Sequence, residues 1–408
     1  MDQKKAIGLL SIPVIVAALG YFVDIYDLLL FSIIRVKSLK GIGLTDALCD
    51  TEGKFIISLQ MYGLLLGGIL WGVLGDKKGR LSVLFGSIVL YSLANFANGF
   101  VQTVNQYALA RFIAGIGLAG ELGAGITLVS ELVTKEARGK ATSIVAGVGL
   151  TGAIAAYFVA HSFDWRICYY VGGGLGLCLL LMRVSVFESG MFENMHETIQ
   201  KGNFLMFFNN RRRFKTYMLA ILIGLPTWYV IGILITFSKE FAKNFGFPEN
   251  DPVDAGKAVM LAYITISFGG LLAGFMSNWL KSRKKALYIF YSITIVSIAL
   301  FFFQKGGNST TMYIICMAMG FGTGFWSLFV TMAAEHFGTN LRATAATTVP
   351  NMVRGSLPIL ILLFNGLKPG WGYINAAAIT GIVVMAISTV SVFMTTETFG
   401  KDLNFIEE

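Results

Sequence analysis

Twelve stretches of predominantly apolar residues follow one another almost end to end, at 7–34, 55–74, 82–101, 107–133, 141–162, 167–187, 214–238, 258–280, 286–304, 312–334, 342–366 and 371–395. A helix needs about 20 mostly apolar residues to cross the hydrocarbon core of a bilayer. Hydrocarbon also excludes any spanning segment whose backbone polar groups are not satisfied internally. The chain is thereby constrained to an all-α membrane protein with twelve transmembrane helices. Composition agrees, because 55% hydrophobic and 13% charged residues leave too little polar surface to coat a soluble globule of 408 residues. The first stretch outruns a signal-peptide core and carries Asp24 and Asp27, so it is expected to remain as a span.

Charge sets the orientation. With the N-terminus inside, 20 Lys and Arg residues fall on the inner side and 10 on the outer. The positive-inside rule therefore predicts both termini in the cytoplasm, in what is expected to be a bacterial inner membrane. The net charge of +9 follows from this asymmetry and is matched by anionic lipid headgroups, with no nucleic-acid partner required. Cys49, Cys168, Cys178 and Cys316 form no CxxC and read as small packing residues, a Cys49–Cys168 disulfide being the alternative. No metal cluster, nucleophile motif or phosphate loop is present, and His161, His196 and His336 are far apart, so neither enzymatic activity nor a cofactor is expected.

The second half of the chain echoes the first. Glu131-Leu-Val-Thr-Lys-Glu-Ala-Arg138 returns as Glu335-His-Phe-Gly-Thr-Asn-Leu-Arg342 after 204 residues, half the chain length, and Gly20 and Gly224 share that displacement. Gly67-Gly68, Gly72 and Asp76 return as Gly269-Gly270, Gly274 and Asn278 after 202 residues. The predicted organisation is a six-helix bundle over 1–187, a cytoplasmic linker over 188–213 with a short surface helix, and a second six-helix bundle over 214–408. Duplicated bundles of this kind place the substrate site near mid-membrane, between the halves.

The turn between the second and third stretches is Gly72-Val-Leu-Gly-Asp76-Lys-Lys-Gly79-Arg80. It resembles the G-x-x-x-D-x-x-G-R loop of the major facilitator superfamily at every fixed position. Arg111-Phe-Ile-Ala-Gly-Ile-Gly117 resembles the family's R-x-x-x-G-x-G, Gly120-Glu121 its G-G-E, and Glu397-Thr-Phe-Gly-x-x-Leu403 its E-T-x-G-x-x-L. Arg183 and Glu188-Ser-Gly-Met-Phe192 resemble the R-x4-E-[ST]-P-x-F that closes helix 6, with Gly190 in place of Pro. Asp24-Ile-Tyr26-Asp27 resembles the E-W-Y-D of helix 1 in the metabolite:proton symporter branch. The resemblance implies the major facilitator fold in two pseudo-symmetric halves, working as a monomer. It also implies that Gly72, Asp76, Gly79 and Arg80 form a cytoplasmic lock, with Glu131, Arg138, Glu335 and Arg342 in its neighbourhood.

An ionised side chain at the bilayer centre costs about 2.5–3.5 kcal/mol even on the lenient insertion scale, so each one must face protein or a wet cavity. Asp24 and Asp27, three residues apart, lie toward one face of a helix, and two adjacent carboxylates resist ionising together. They are the expected proton-coupling pair, assisted by resemblance by Arg111. Arg354, twelve residues past Arg342 and so about 18 Å along a helix, is the expected anchor for an anionic group of the substrate. Glu121 near mid-depth reads as a second protonation site or as the counter-ion of Arg354. Tyr26 and Trp228 are further candidates for the cavity, since Trp228 falls opposite Asp24 in the repeat.

These residues predict a secondary transporter that imports a small carboxylate-bearing or zwitterionic metabolite with protons by alternating access. The alternative is a uniporter or exchanger of organic anions, citrate-type siderophores included, without proton coupling.

Overall fold

A computed structural model describes residue 9, residues 11–183 and residues 202–407. The side chains at 46, 47, 50, 80 and 135–139 lie outside that description, and with them the expectations for Arg80 and Arg138. The 188–192 motif and the 188–201 part of the linker also lie outside the described residues.

Eleven helical stretches among the described residues are long and apolar enough to cross a membrane. In order, α1–α10 are Ile12–Gly41, Thr51–Lys78, Leu81–Asn98, Val104–Leu132, Lys140–Ser162, Trp165–Met182, Arg211–Ile235, Ala255–Trp279, Arg283–Phe302 and Ser309–His336. The last, Arg342–Met394, is two helices joined at Gly372, where φ of 72° and ψ of 171° reverse the chain. These are α11 (342–371) and α12 (373–394), which makes twelve spans. No strand occurs among the described residues.

Within the first half α2 packs on α4, α3 on α4 and α6, and α1 on α5 and α6; in the second, α8 packs on α10, α7 on α12 and α9 on α10. Across the halves the main seams are α2 against α11 and α5 against α8. Small residues set these approaches, as is usual where lipid gives no hydrophobic drive between helices. A Cβ on Gly72 would lie 3.0 Å from the Thr344 Cα of α11, so this glycine lets the α2–α11 seam close. Gly79 joins α2 to α3 at φ 95°, a conformation that disfavours any side chain.

Two spans are broken in ways that shape the centre. In α4 the helix interrupts at Ala119-Gly120, freeing backbone carbonyls; Trp71 donates to the Ile116 oxygen at 2.6 Å and Asn351 to the Ala119 oxygen at 2.8 Å. In α7, Pro226 has no N–H for the carbonyl of Leu222, and the Ser388 hydroxyl of α12 donates to it instead at 2.7 Å. A π-helical turn, Val230–Ile235, follows. At both breaks side chains from neighbouring spans take up freed carbonyls inside the protein, the condition for irregular backbone at membrane depth. The four cysteines form no disulfide.

Candidate functional site

Asp24 of α1 and Arg354 of α11 face each other across the halves, both buried. Arg354 Nη2 lies 3.6 Å from Asp24 Oδ2, too far for a hydrogen bond, and neither Asp24 oxygen has a hydrogen-bond partner among the described residues. Arg354 Nη1 donates to Asn351 Oδ1 at 3.2 Å, while its Nε is unpartnered among the described residues. The guanidinium carbon sits 5.9 Å from the Trp326 ring centroid, and Trp326 Nε1 donates to the Tyr21 hydroxyl across the halves at 3.1 Å. Tyr21, Trp228, Tyr263 and Trp326 wall the space beside Arg354, which at ≈10 Å³ admits a single water at most. A buried ion pair at 3.6 Å with unfilled lone pairs is poorly compensated. The geometry leaves the guanidinium and the carboxylate each able to take another partner.

Two further ion pairs lie inside the first half. Asp27 Oδ1 is 3.6 Å from Arg111 Nη2, and Arg111 also donates to Asn95 at 2.7 Å, to Asn98 at 3.2 Å and to the Asp27 carbonyl at 3.3 Å, with its guanidinium 4.8 Å from the Tyr169 ring centroid. Glu121 stands in the first turn after the α4 break and is held by Arg183 through both oxygens, at 2.6 and 3.1 Å. Ser87 donates to it at 2.9 Å. Three residues along a helix leave side chains about 60° apart, so Asp24 and Asp27 diverge to different arginines rather than facing one another. Glu121 is the counter-ion of Arg183, and Asp24 that of Arg354. Tyr26 turns into the first half, donating to the Cys168 carbonyl at 2.8 Å, and does not line the central cavity.

The face that carries the Gly79 turn is tied across the halves. Asp76, fully buried, accepts from the Ala343 N–H at 3.1 Å, the Thr344 N–H at 2.8 Å and the Thr344 hydroxyl at 2.6 Å. The N-cap residue of α11 is Leu341, whose side chain cannot cap, so the cap comes from the other half. Beside it Arg342 donates to Glu131 at 3.0 Å and to the Leu403 carbonyl. Glu335 pairs within the second half, with Arg283 at 2.9 Å and the Thr398 hydroxyl at 2.7 Å. Glu397 caps the start of α9, accepting from the Arg283 N–H at 2.9 Å, the Lys284 N–H at 3.2 Å and the Ser282 hydroxyl at 2.5 Å. Burial alone would raise its pKa, but these bonds and those from Thr398 and Phe399 hold it below the usual carboxylate range. On the opposite face Arg35 lies 3.7 Å from Glu240 and His161 lies 3.8 Å from Asp254, again across the halves. Among the described residues the hydrogen-bonded ties are therefore on the Gly79 face, and the opposite face carries these two longer charge contacts.

Sequence reasoning passed over Arg183, Asn351 and Tyr21. Arg183 was visible as a motif position at a span end, and Tyr21 as the residue one turn before Asp24; nothing in the sequence marks Asn351 as the link between Arg354 and the broken α4.

A family model described as the Major Facilitator Superfamily matches residues 17–361. A niacin transporter of Acinetobacter baylyi is 26% identical over 96% of this chain and 95% of its own. A 3-(3-hydroxy-phenyl)propionate transporter of Escherichia coli is 27% identical over 85% of this chain and 86% of its own. Among solved structures, a proton:xylose symporter superposes with a TM-score of 0.72 at 17% identity, covering 96% of this chain and 97% of that one. A human organic anion transporter does so with 0.75 at 14% identity, covering 94% and 98%.

Proposed function

The chain belongs to the Major Facilitator Superfamily, and we propose that within it the protein imports a small aromatic or heteroaromatic carboxylate together with a proton. The Asp24–Arg354 pair carries this reading: a buried carboxylate stands 3.6 Å from the cation that a substrate carboxylate would need. Arginine stays charged and offers paired donors that suit a carboxylate. Two carboxylates around one guanidinium repel, so a substrate anion binds well only once Asp24 is protonated. The pair then exchanges one anion for another, Arg⁺ with Asp⁻ giving way to Arg⁺ with substrate⁻, and the site is neutral in both states. A neutral loaded carrier avoids the cost of moving net charge through hydrocarbon. The aromatic walls favour a planar ring beside the carboxylate, and the names of the two relatives point the same way.

In this reading, alternating access uses the contacts between the halves on the two faces. Asp76 and the Glu131–Arg342 pair close the face richer in Lys and Arg, taken as cytoplasmic; the Arg35–Glu240 and His161–Asp254 pairs close the outer one. Breaking one set while the other holds opens the site to one side at a time.

Uptake of nicotinate, benzoate and 3-hydroxyphenylpropionate by proteoliposomes tests the proposal. At least one should accumulate under an inward proton gradient. Coupled uptake of one proton makes Kd fall about tenfold for each unit of falling pH while Asp24 is ionised in the empty site and protonated in the loaded one, and Kd levels off once the empty site is protonated. Asp24→Asn should bind substrate without that slope, and Arg354→Lys should weaken binding about tenfold or more. Uptake indifferent to the gradient, with a flat pH profile, would leave a uniporter or exchanger of organic anions in its place.

A further inference from the structure

A cavity of ≈620 Å³ lies on the same face as the Asp76 contact, formed by the end of the linker and the second half, among the first turns of α7, the ends of α10 and α12 and the segment that follows α12. Among the described residues, Arg212, Arg213, Lys215 and Lys401 line it, with Glu407 the one carboxylate there. Leu219, Phe337 and Met394 add apolar surface to the lining. Glu407 stands 3.9 Å from Arg213, and Lys401 donates to the His336 carbonyl at 3.2 Å. Arg212 and Lys215 are exposed and make no ion pair among the described residues. The pKa of Lys401 lies below the ordinary lysine value, first through burial; Glu407 opposes the shift, while Arg212 and Arg342 add to it.

We propose that this cavity binds a phosphate-bearing anion, the headgroup of an anionic phospholipid or a soluble phosphate ester, in competition with the Glu407 carboxylate. A phosphate brings more charge than a carboxylate and more acceptor oxygens, and Arg presents a paired donor that matches it. The volume falls in the range of small-ligand pockets, and the apolar part of the lining suits the non-phosphate portion of either ligand. This inference is independent of what the central cavity carries.

The segment that carries Glu407 is bonded to the α10–α11 loop. The Thr339 N–H donates to the Phe405 carbonyl at 2.9 Å, the Glu407 N–H to Asn340 Oδ1 at 2.9 Å and Asn340 Nδ2 to the Glu407 carbonyl at 3.0 Å. A Cβ on Gly338 would lie 2.8 Å from the Phe405 carbonyl oxygen, so the strap lies tight on this loop. The loop leads into Arg342, which holds both Glu131 of the first half and the Leu403 carbonyl of the strap. The Glu407 carboxylate itself reaches this loop through the Gly338 N–H, at 3.4 Å, and an anion that displaces it removes that bond.

The test uses the full chain at constant ionic strength, with sulfate as the control anion. Its thermal midpoint is followed against pyrophosphate in neutral detergent, and in nanodiscs of phosphatidylcholine with or without phosphatidylglycerol. A rise with pyrophosphate identifies a soluble ester, and a rise confined to phosphatidylglycerol identifies a lipid headgroup. Either should fall about tenfold in apparent affinity in Arg212→Ser/Lys215→Ser, whose positions are exposed and tolerate change, and should tighten in Glu407→Gln. No response to either anion, or a response that sulfate reproduces or the double variant leaves intact, would overturn the proposal.

Discussion

Asp76→Asn isolates what one carboxylate contributes to tying the two halves. In the closed arrangement its oxygens accept two backbone N–H groups and one hydroxyl of α11, at 2.6–3.1 Å, with no solvent exposure. Asparagine keeps one acceptor and turns the other oxygen into a donor that faces donors. A hydrogen bond to a charged group contributes about 1.5–3 kcal/mol and a neutral one about 0.5–1.5. Loss of the favourable field of the α11 N-terminus adds about 0.3–1 kcal/mol. Weakening one bond and losing one N–H bond gives a net of about 2–4 kcal/mol, with the Thr344 hydroxyl free to rotate and accept from the new amide. At 1.4 kcal/mol per tenfold, the ratio of closed to open on this face falls about 30- to 700-fold. Spin labels at Lys77→Cys and Lys285→Cys, both exposed and in different halves, report that opening by pulsed electron resonance in a background free of the native cysteines. A longer second distance should appear in Asp76→Asn with little change in thermal midpoint. If the distances do not change, or if the protein merely loses stability with no second distance, Asp76 does not set the closed state.

Asn351→Ala removes the link between Arg354 and the Ala119 carbonyl; uptake should slow while substrate Kd stays within about threefold, and an equal loss of both would make Asn351 a binding residue instead. Glu121→Gln leaves Arg183 buried without its counter-charge, a loss on the order of 3–5 kcal/mol. Partial recovery of the thermal midpoint in Glu121→Gln/Arg183→Gln should show that the burden is the stranded charge, and no recovery would refute it. Glu397 has its pKa lowered in the folded protein, so its contribution is present above the ordinary glutamate value, about 4.3, and is lost as pH falls below it. Thermal midpoints of wild type and Glu397→Gln should therefore converge as pH drops through that window, and a constant gap would contradict the assignment.

The twelve spans were legible because hydrocarbon imposes length and apolarity on each one separately, and the Gly79 turn because a backbone at φ 95° demands glycine locally. The pairing of charges was not legible, since depth along a helix can be counted from sequence but facing cannot. Depth made Glu121 a candidate counter-ion for Arg354, yet Glu121 pairs with Arg183 and Asp24 with Arg354, and Gly20 sits where the two pairs part. A Cβ there would lie 2.8 Å from Glu121 Oε2 and against the Arg183 guanidinium, so the bare backbone of α1 opens the space in which those two meet, leaving Asp24 one turn on to face Arg354. Gly20 stood out in the sequence only as half of a repeat, and its counterpart Gly224 has Val353 and Phe329 against it rather than an ion pair. Around the central cavity the duplication has kept the packing and not the charges. Asp24, Asp27 and Glu121 all belong to the first half, and the second supplies Arg354 with Trp228, Tyr263 and Trp326. A repeat search finds the axis of the molecule for that reason and misses its chemistry, which lives where the halves have ceased to resemble each other.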